Sequence, residues 1–133
     1  MTIRLDHIVL TVASIAKTVT FYERALGFRA VTQDGRTALH FGDHKINLHE
    51  VGHEFEPKAM LAKAGTGDFC LTGEEPVERL KSHLEGLGID VFEGPVARTG
   101  ARSDLRSIYF RDPDGNLVEV ANEVGSLPSN ASG

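Results

Sequence analysis

The chain has 133 residues, enough for one packed domain or for two half-domains that share a core. Hydrophobic residues make up 41% and charged residues 25%, and a formal net charge of -5 without any Lys/Arg cluster excludes nucleic acid as a partner. No apolar run approaches the ~20 residues that cross a bilayer, and the N-terminus enters a strand-like pattern at once, so a cytoplasmic protein with no membrane partner is expected.

Leu5 to Val12 is rich in Val, Ile and Thr and reads as a buried strand. Ile15, Val19, Tyr22 and Leu26 then recur at helical spacing, with Ser14 placed as N-cap and Gly27 as stop. Phe28–Gln33 and Arg36–Phe41 read as strands joined by an Asp34-Gly35 hairpin turn. After the turn at Gly42-Asp43-His44, Lys45–Val51 is a fourth strand. Residues 52–66 form a connection with a short helical stretch around Ala59–Ala62.

The same order then returns. Asp68–Thr72 is a strand, with Cys70 expected in the core, and Glu75–Leu87 is a helix with Pro76 near its first turn. Ile89–Val96 is a strand, 97–104 a polar loop, Ser107–Phe110 a strand, Asp112-Pro113-Asp114-Gly115 a turn and Leu117–Asn122 the last strand. Leu26-Gly27-Phe28 matches Leu87-Gly88-Ile89, and His7–Thr11 matches Asp68–Thr72, both at an offset of 61. Two landmarks at one spacing indicate an internal duplication, with modules at about 3–51 and 67–122. They make one domain over 1–124, followed by a flexible tail at 125–133.

Strand side chains alternate between faces, so assigning Ile8, Leu10, Val12, Ile46, Leu48, Ile108, Phe110, Val118 and Val120 to the helices fixes what faces away. That opposite face carries His7, His40, Asn47, His49, Tyr109 and Glu119. Burying such groups without partners costs roughly 1–3 kcal/mol each, and a divalent metal is one way to satisfy imidazoles and a carboxylate together. Taken singly, each has a plainer reading. A lone strand histidine is more often a hydrogen-bonded core residue, and Glu119 alone reads as an exposed edge residue. His44, His53 and His83 read as solvated, and Arg98, Arg102 and Arg106 as surface charge.

The opening LDHIVLTV, the helix with Phe21-Tyr22 and Leu26-Gly27-Phe28, and the run from Tyr109 through Asp112-Pro113-Asp114-Gly115-Asn116 to Glu119 resemble the vicinal-oxygen-chelate superfamily of glyoxalases, bleomycin-resistance proteins and dioxygenases. The likeness spans residues 3 to about 124 and is nearest to small lactoylglutathione-lyase-like glyoxalase-domain proteins. It implies an α+β fold of two tandem βαβββ modules, each curled into a half-barrel, and a homodimer.

The resemblance also implies a divalent metal ion (Zn, Ni, Mn or Fe) held by His7, by His49 or Asn47, by Asp68 and by Glu119. Asp68 stands where glyoxalase I and the fosfomycin enzymes usually carry histidine. Tyr109 matches a substrate-contacting tyrosine, His40 orients the substrate, and Arg98 or Arg102 receives its carboxylate or phosphate. The implied activity is metal-dependent lyase or isomerase chemistry on a small α-oxo or thiol-adduct substrate, with Glu119 as ligand and base. The alternatives are a metal-free, drug-sequestering protein of the bleomycin-resistance type and an Fe(II) dioxygenase.

Overall fold

The expected strands and helices form in the expected order in a computed structural model, which describes residues 1–125. The elements are β1 (His7–Val12), α1 (Ile15–Leu26), β2 (Arg29–Gln33), β3 (Arg36–Phe41), β4 (His44–Glu50), β5 (Asp68–Thr72), α2 (Val77–Gly86), β6 (Glu93–Thr99), β7 (Asp104–Arg111) and β8 (Leu117–Gly125). Two four-stranded sheets result, with strand orders β1-β4-β3-β2 and β5-β8-β7-β6. In each the first strand runs parallel to the fourth and the other pairs are antiparallel. Identical order and polarity in the two sheets are the duplication seen at the 61-residue offset.

The chain divides into two compact units, one of Met1–Gly67 with Asp112–Asn116, the other of Asp68–Arg111 with Leu117 onward. In the first unit the Ser14 hydroxyl caps α1 by accepting from Lys17 N at 3.2 Å, and Gly27 ends the helix at φ 70°. Asp34 and Gly35 both adopt positive φ, 54° and 75°, as the tight β2–β3 hairpin requires. α1 buries Thr18, Tyr22 and Ala25, while Leu10, Val12, Leu39, Ile46 and Leu48 form the buried face of the sheet. Phe28 stacks between Tyr22 and Phe41, with ring centroids 5.7 and 4.3 Å away.

The Asp112–Asn116 turn belongs to the first unit despite its place in the second repeat. Asp112 is 6% exposed, and its carboxylate accepts four hydrogen bonds. The donors are the buried Tyr22 hydroxyl (2.8 Å), the Asn116 amide group (2.8 Å) and the backbone N–H groups of Asp114 (2.9 Å) and Asn116 (3.0 Å). Asp114 also accepts from Ala13 N at 3.0 Å, and Asn116 Oδ1 from Gly67 N at 2.7 Å. The motif is therefore structural, a hydrogen-bonded knot around one buried carboxylate.

In the second unit Val77, Leu80 and Leu84 of α2 are buried, as are Ile108, Phe110, Val118 and Val120 of the sheet. The helix begins at Val77 rather than Glu75 because Pro76 occupies its cap position and carries no side-chain donor or acceptor. Asn122 takes over, accepting from Val77 N at 2.9 Å and donating to the carbonyls of Gly73 and Glu75.

Three further expectations change. β6 starts at Glu93, not Ile89, and runs through Arg98 to Thr99, so the polar loop shrinks to a turn closed by Gly100 N donating to Ser103 O at 2.9 Å. β6 is an edge strand, where polar residues are at home, so apolar content misplaces its bounds. Residues Ala59–Ala62 form a turn, not a helix. Cys70 is exposed rather than in the core, because it lies on the face of β5 turned from α2. Of the expected tail 125–133, Gly125 closes β8 and the rest lies outside the described residues.

Candidate functional site

Each sheet turns one face to its helix and presents the other. In the first unit, register aligns that other face in rows. His7 sits opposite Lys45, Lys45 opposite His40 and His40 opposite Arg29; the next row is Val9, Asn47, Ala38 and Val31. His7 Nδ1 lies 2.7 Å from Asp6 Oδ2, which leaves Nε2 as its outward nitrogen and holds the Asp6 carboxyl below the usual carboxylate range. A carboxylate behind one imidazole nitrogen is the arrangement that orients metal-ligating histidines. His49 is opposite Thr11, and its ring packs edge-on against Phe55 at 5.5 Å, with the Arg36 guanidinium 4.1 Å from the same ring.

In the second unit the central row reads Cys70, Glu119, Tyr109, Glu93 across β5, β8, β7 and β6. Glu119 is half-buried between the Cys70 and Tyr109 strands. Burial first, and the Glu119 carboxylate second, push the Cys70 thiol up to about 12, although part of the side chain reaches solvent. Burial also raises the Tyr109 phenol, opposed by a hydrogen bond from Arg98 and reinforced by Glu119. Cys70, Glu119 and Tyr109, with Arg98, Arg102 and Glu123, line a cavity of about 350 Å³, large enough for a small organic molecule. The Arg102 guanidinium donates through one nitrogen to both Glu123 oxygens, at 2.9 and 3.1 Å.

The family model of the Glyoxalase/Bleomycin resistance protein/Dioxygenase superfamily matches residues 4–120. The chain belongs to this superfamily. It is 50% identical over 122 residues to the virulence protein STM3117 of Salmonella typhimurium, covering 91% of this chain and 85% of that one. The crystal structure of STM3117 superposes with a TM-score of 0.91 at 49% identity, covering 93% and 99% of the two chains. The glyoxalase domain-containing protein RDO1 of Mycosarcoma maydis is 48% identical over 119 residues, covering 89% of this chain and 67% of its own. A metallothiol transferase, FosB of Staphylococcus saprophyticus, is 26% identical over 117 residues, covering 87% and 74%.

Against this superfamily's two-module plan, the residues singled out by sequence divide between the units. His7, His40, Asn47 and His49 stand in the first, and Asp68, Arg98, Arg102, Tyr109 and Glu119 in the second. Within neither unit do three His, Cys, Asp or Glu side chains converge as a metal cage among the described residues. The donor chemistry of the individual residues nevertheless suits a divalent ion: an imidazole with one nitrogen tied to a carboxylate, and a half-buried carboxylate on a cavity wall.

Register also relates the two candidate donors of β4 to the repeat. Val9 lies opposite Asn47 and its repeat counterpart Cys70 opposite Glu119, so Asn47 holds the position of Glu119. His49 holds that of Ala121, because Thr11 and Thr72 are their partners. Asp68 is exposed at the start of β5, opposite Leu117, on the same face as Cys70. Sequence reasoning missed Cys70, Thr72, Glu93 and Glu123 as neighbours of Tyr109 and Glu119. Alternation puts Cys70, Thr72 and Glu123 on that face, but Glu93 reaches it only through a bulge in β6.

Proposed function

We propose that the chain is a metal-dependent, glyoxalase-like lyase or isomerase acting on a small α-oxo or thiol-adduct substrate. The observation that carries the reading is the second-unit cavity, where the Glu119 carboxylate and the Tyr109 phenol occupy facing register positions on adjacent strands. A carboxylate to move a proton and a phenol to bond an oxygen are what enolisation beside a carbonyl requires.

His7, Asp68, Glu119 and a β4 donor, His49 or Asn47, would hold the divalent ion. When bound, such an ion supplies Lewis acidity to two adjacent substrate oxygens. Glu119 takes and returns the substrate proton. Tyr109 bonds the substrate oxygen, His40 orients the substrate, and Arg102 pairs with an anionic substituent. FosB carries "metallothiol" in its name, which supports both the metal and a thiol-bearing substrate class. A cytoplasmic homodimer is part of the same reading. No helix among the described residues is long and apolar enough to cross a membrane.

The test is metal content of the purified native protein, with His7→Ala and Glu119→Gln as controls. Bound Zn, Ni, Mn or Fe that both substitutions reduce supports the reading. A metal-free protein whose melting temperature no divalent ion shifts rules it out.

A further inference from the structure

All three nitrogens of the Arg98 guanidinium are engaged. Nε donates to the Tyr109 hydroxyl oxygen at 2.9 Å, one terminal nitrogen to the Ala97 carbonyl at 2.9 Å, and the other forms a close ion pair with Glu93. A guanidinium grips a carboxylate or phosphate through two parallel N–H groups on one edge. Three of its five N–H donors are thus engaged within the protein, which leaves Arg98 largely committed before an anionic substrate arrives. Arg102, 80% exposed and tied through one nitrogen to Glu123, keeps the capacity for that grip.

The constellation depends on a bulge that simple alternation does not anticipate. Glu93 and Arg98 are five residues apart, and in a regular strand they would face opposite sides. Register shifts between them: Glu93 pairs with Tyr109 and Val96 with Ser107, so three steps on β6 span two on β7. The extra residue restores parity and turns Glu93, Val96 and Arg98 to the face that carries Tyr109. Gly94 lies inside the bulge at φ 105°, and a Cβ there would sit 2.3 Å from the Ser107 carbonyl oxygen. Only glycine fits that backbone approach.

A phenol oxygen that accepts from Arg98 cannot also send its own proton toward the guanidinium, so that proton turns to the side where the Glu119 carboxylate faces the phenol. We infer that Arg98, steered by Glu93, is a positioning residue that fixes Tyr109 as a hydrogen-bond donor into the cavity, toward an oxo or alkoxide oxygen of the substrate. The Glu93 carboxylate neutralises the guanidinium, so the pair orients the phenol without placing a net charge beside the ligand. The inference deepens the proposed function and rests on it for the identity of the ligand, but not for the Arg98–Tyr109 geometry.

The chain has two tyrosines and no tryptophan, which makes the tyrosine ring doublet in the Raman spectrum readable. Its intensity ratio rises when a phenol oxygen accepts a hydrogen bond and falls when the phenol only donates. Tyr22 donates to Asp112 and supplies a constant background. The ratio is expected to fall in Arg98→Met, to be largely retained in Arg98→Lys, and to fall part-way in Glu93→Ala. Circular dichroism establishes that each variant is folded. A folded Arg98→Met or Glu93→Ala protein with an unchanged ratio overturns the inference, and the second variant serves if the first fails to fold.

Pyruvate, a small α-oxo acid, is the probe for the ligand side, with binding followed by NMR. Its affinity should drop about three- to tenfold in Tyr109→Phe and by a similar factor in Arg98→Met, with partial recovery in Arg98→Lys. A larger loss in Arg98→Met than in Tyr109→Phe would mean that Arg98 grips the anion itself, and the inference is then wrong. If wild-type protein does not bind pyruvate but the Raman ratios behave as expected, the positioning role stands and it is the α-oxo substrate of the proposed function that fails.

Discussion

The buried Tyr22 hydroxyl donates to Asp112 Oδ2 at 2.8 Å, joining two residues ninety positions apart. Asp112 accepts three further bonds inside its own turn, so the carboxylate organises both the turn and the helix that carries Tyr22. Tyr22→Phe removes one donor to a buried charged acceptor and should destabilise the protein by about 1–3 kcal/mol. Asp112→Ala strands the buried Tyr22 and Asn116 donors and should cost about 3 kcal/mol or more. Urea denaturation with an unchanged m-value measures both. Equal stability of wild type and Asp112→Ala would show the knot to be ornamental.

The same pair sets an alkaline limit. Burial, and after it the Asp112 charge, raise the Tyr22 phenol above its ordinary 10.0, so the native state keeps a proton that the unfolded chain releases. The stability this group contributes is complete below pH 10 and declines as pH rises beyond it. Unfolding free energy measured from pH 8 to 11 should fall more steeply in wild type than in Tyr22→Phe above pH 10. Parallel curves would mean that Tyr22 ionises alike in both states.

Gly94→Ala is the sharpest test of the β6 bulge. Its Cβ would meet the Ser107 carbonyl oxygen and the Ile108 Cα, at 2.3 and 2.8 Å, and alanine is strained at φ 105°. A loss of about 2 kcal/mol or more is expected, with displacement of Glu93 and Arg98 from Tyr109. Melting temperature reads the first effect and the Raman ratio the second. Gly73, whose Cβ would meet nothing within 4 Å, is the control for a glycine-to-alanine change without a clash.

Metal removal separates the family's chemistry from its scaffold. If His7 and Glu119 hold a divalent ion, chelation should lower the melting temperature of wild type and leave His7→Ala and Glu119→Gln unaffected, since an ion bound only to the native state stabilises it by mass action. Titration calorimetry of the metal-stripped protein should show binding that both substitutions weaken. Affinity that survives both substitutions would place the ion elsewhere.

Asn47→Ala against His49→Ala then distinguishes the two candidate donors of β4. Asn47 shares the register position of Glu119, whereas His49 packs on Phe55. Weakening of metal binding by tenfold or more in Asn47→Ala, with a near-wild-type value in His49→Ala, is the expected pattern. The reverse pattern assigns the ligand to His49.

Much of this protein was legible in one dimension. Strand and helix order, the Ser14 and Gly27 caps, the Asp34-Gly35 hairpin and the duplication follow from periodicity and turn chemistry, which are local. The sharing of one face by Tyr109 and Glu119 follows from period-two alternation, and it holds because β7 and β8 pair in regular register there. Tertiary structure decided what local rules do not encode. Arg98, read as surface charge in a polar loop, lies on an edge strand with its guanidinium bonded to Tyr109, Ala97 and Glu93. Its orientation depends on one inserted residue, and a one-residue change of parity moves a side chain to the opposite face. Cys70 looked like core because its neighbours are apolar, yet its face of β5 lines a cavity. The Asp-Pro-Asp-Gly-Asn run read as a turn in the second repeat, but its hydrogen bonds close on Tyr22, Ala13 and Gly67 of the first unit. A hydrogen bond spanning ninety residues leaves no periodic trace in the sequence.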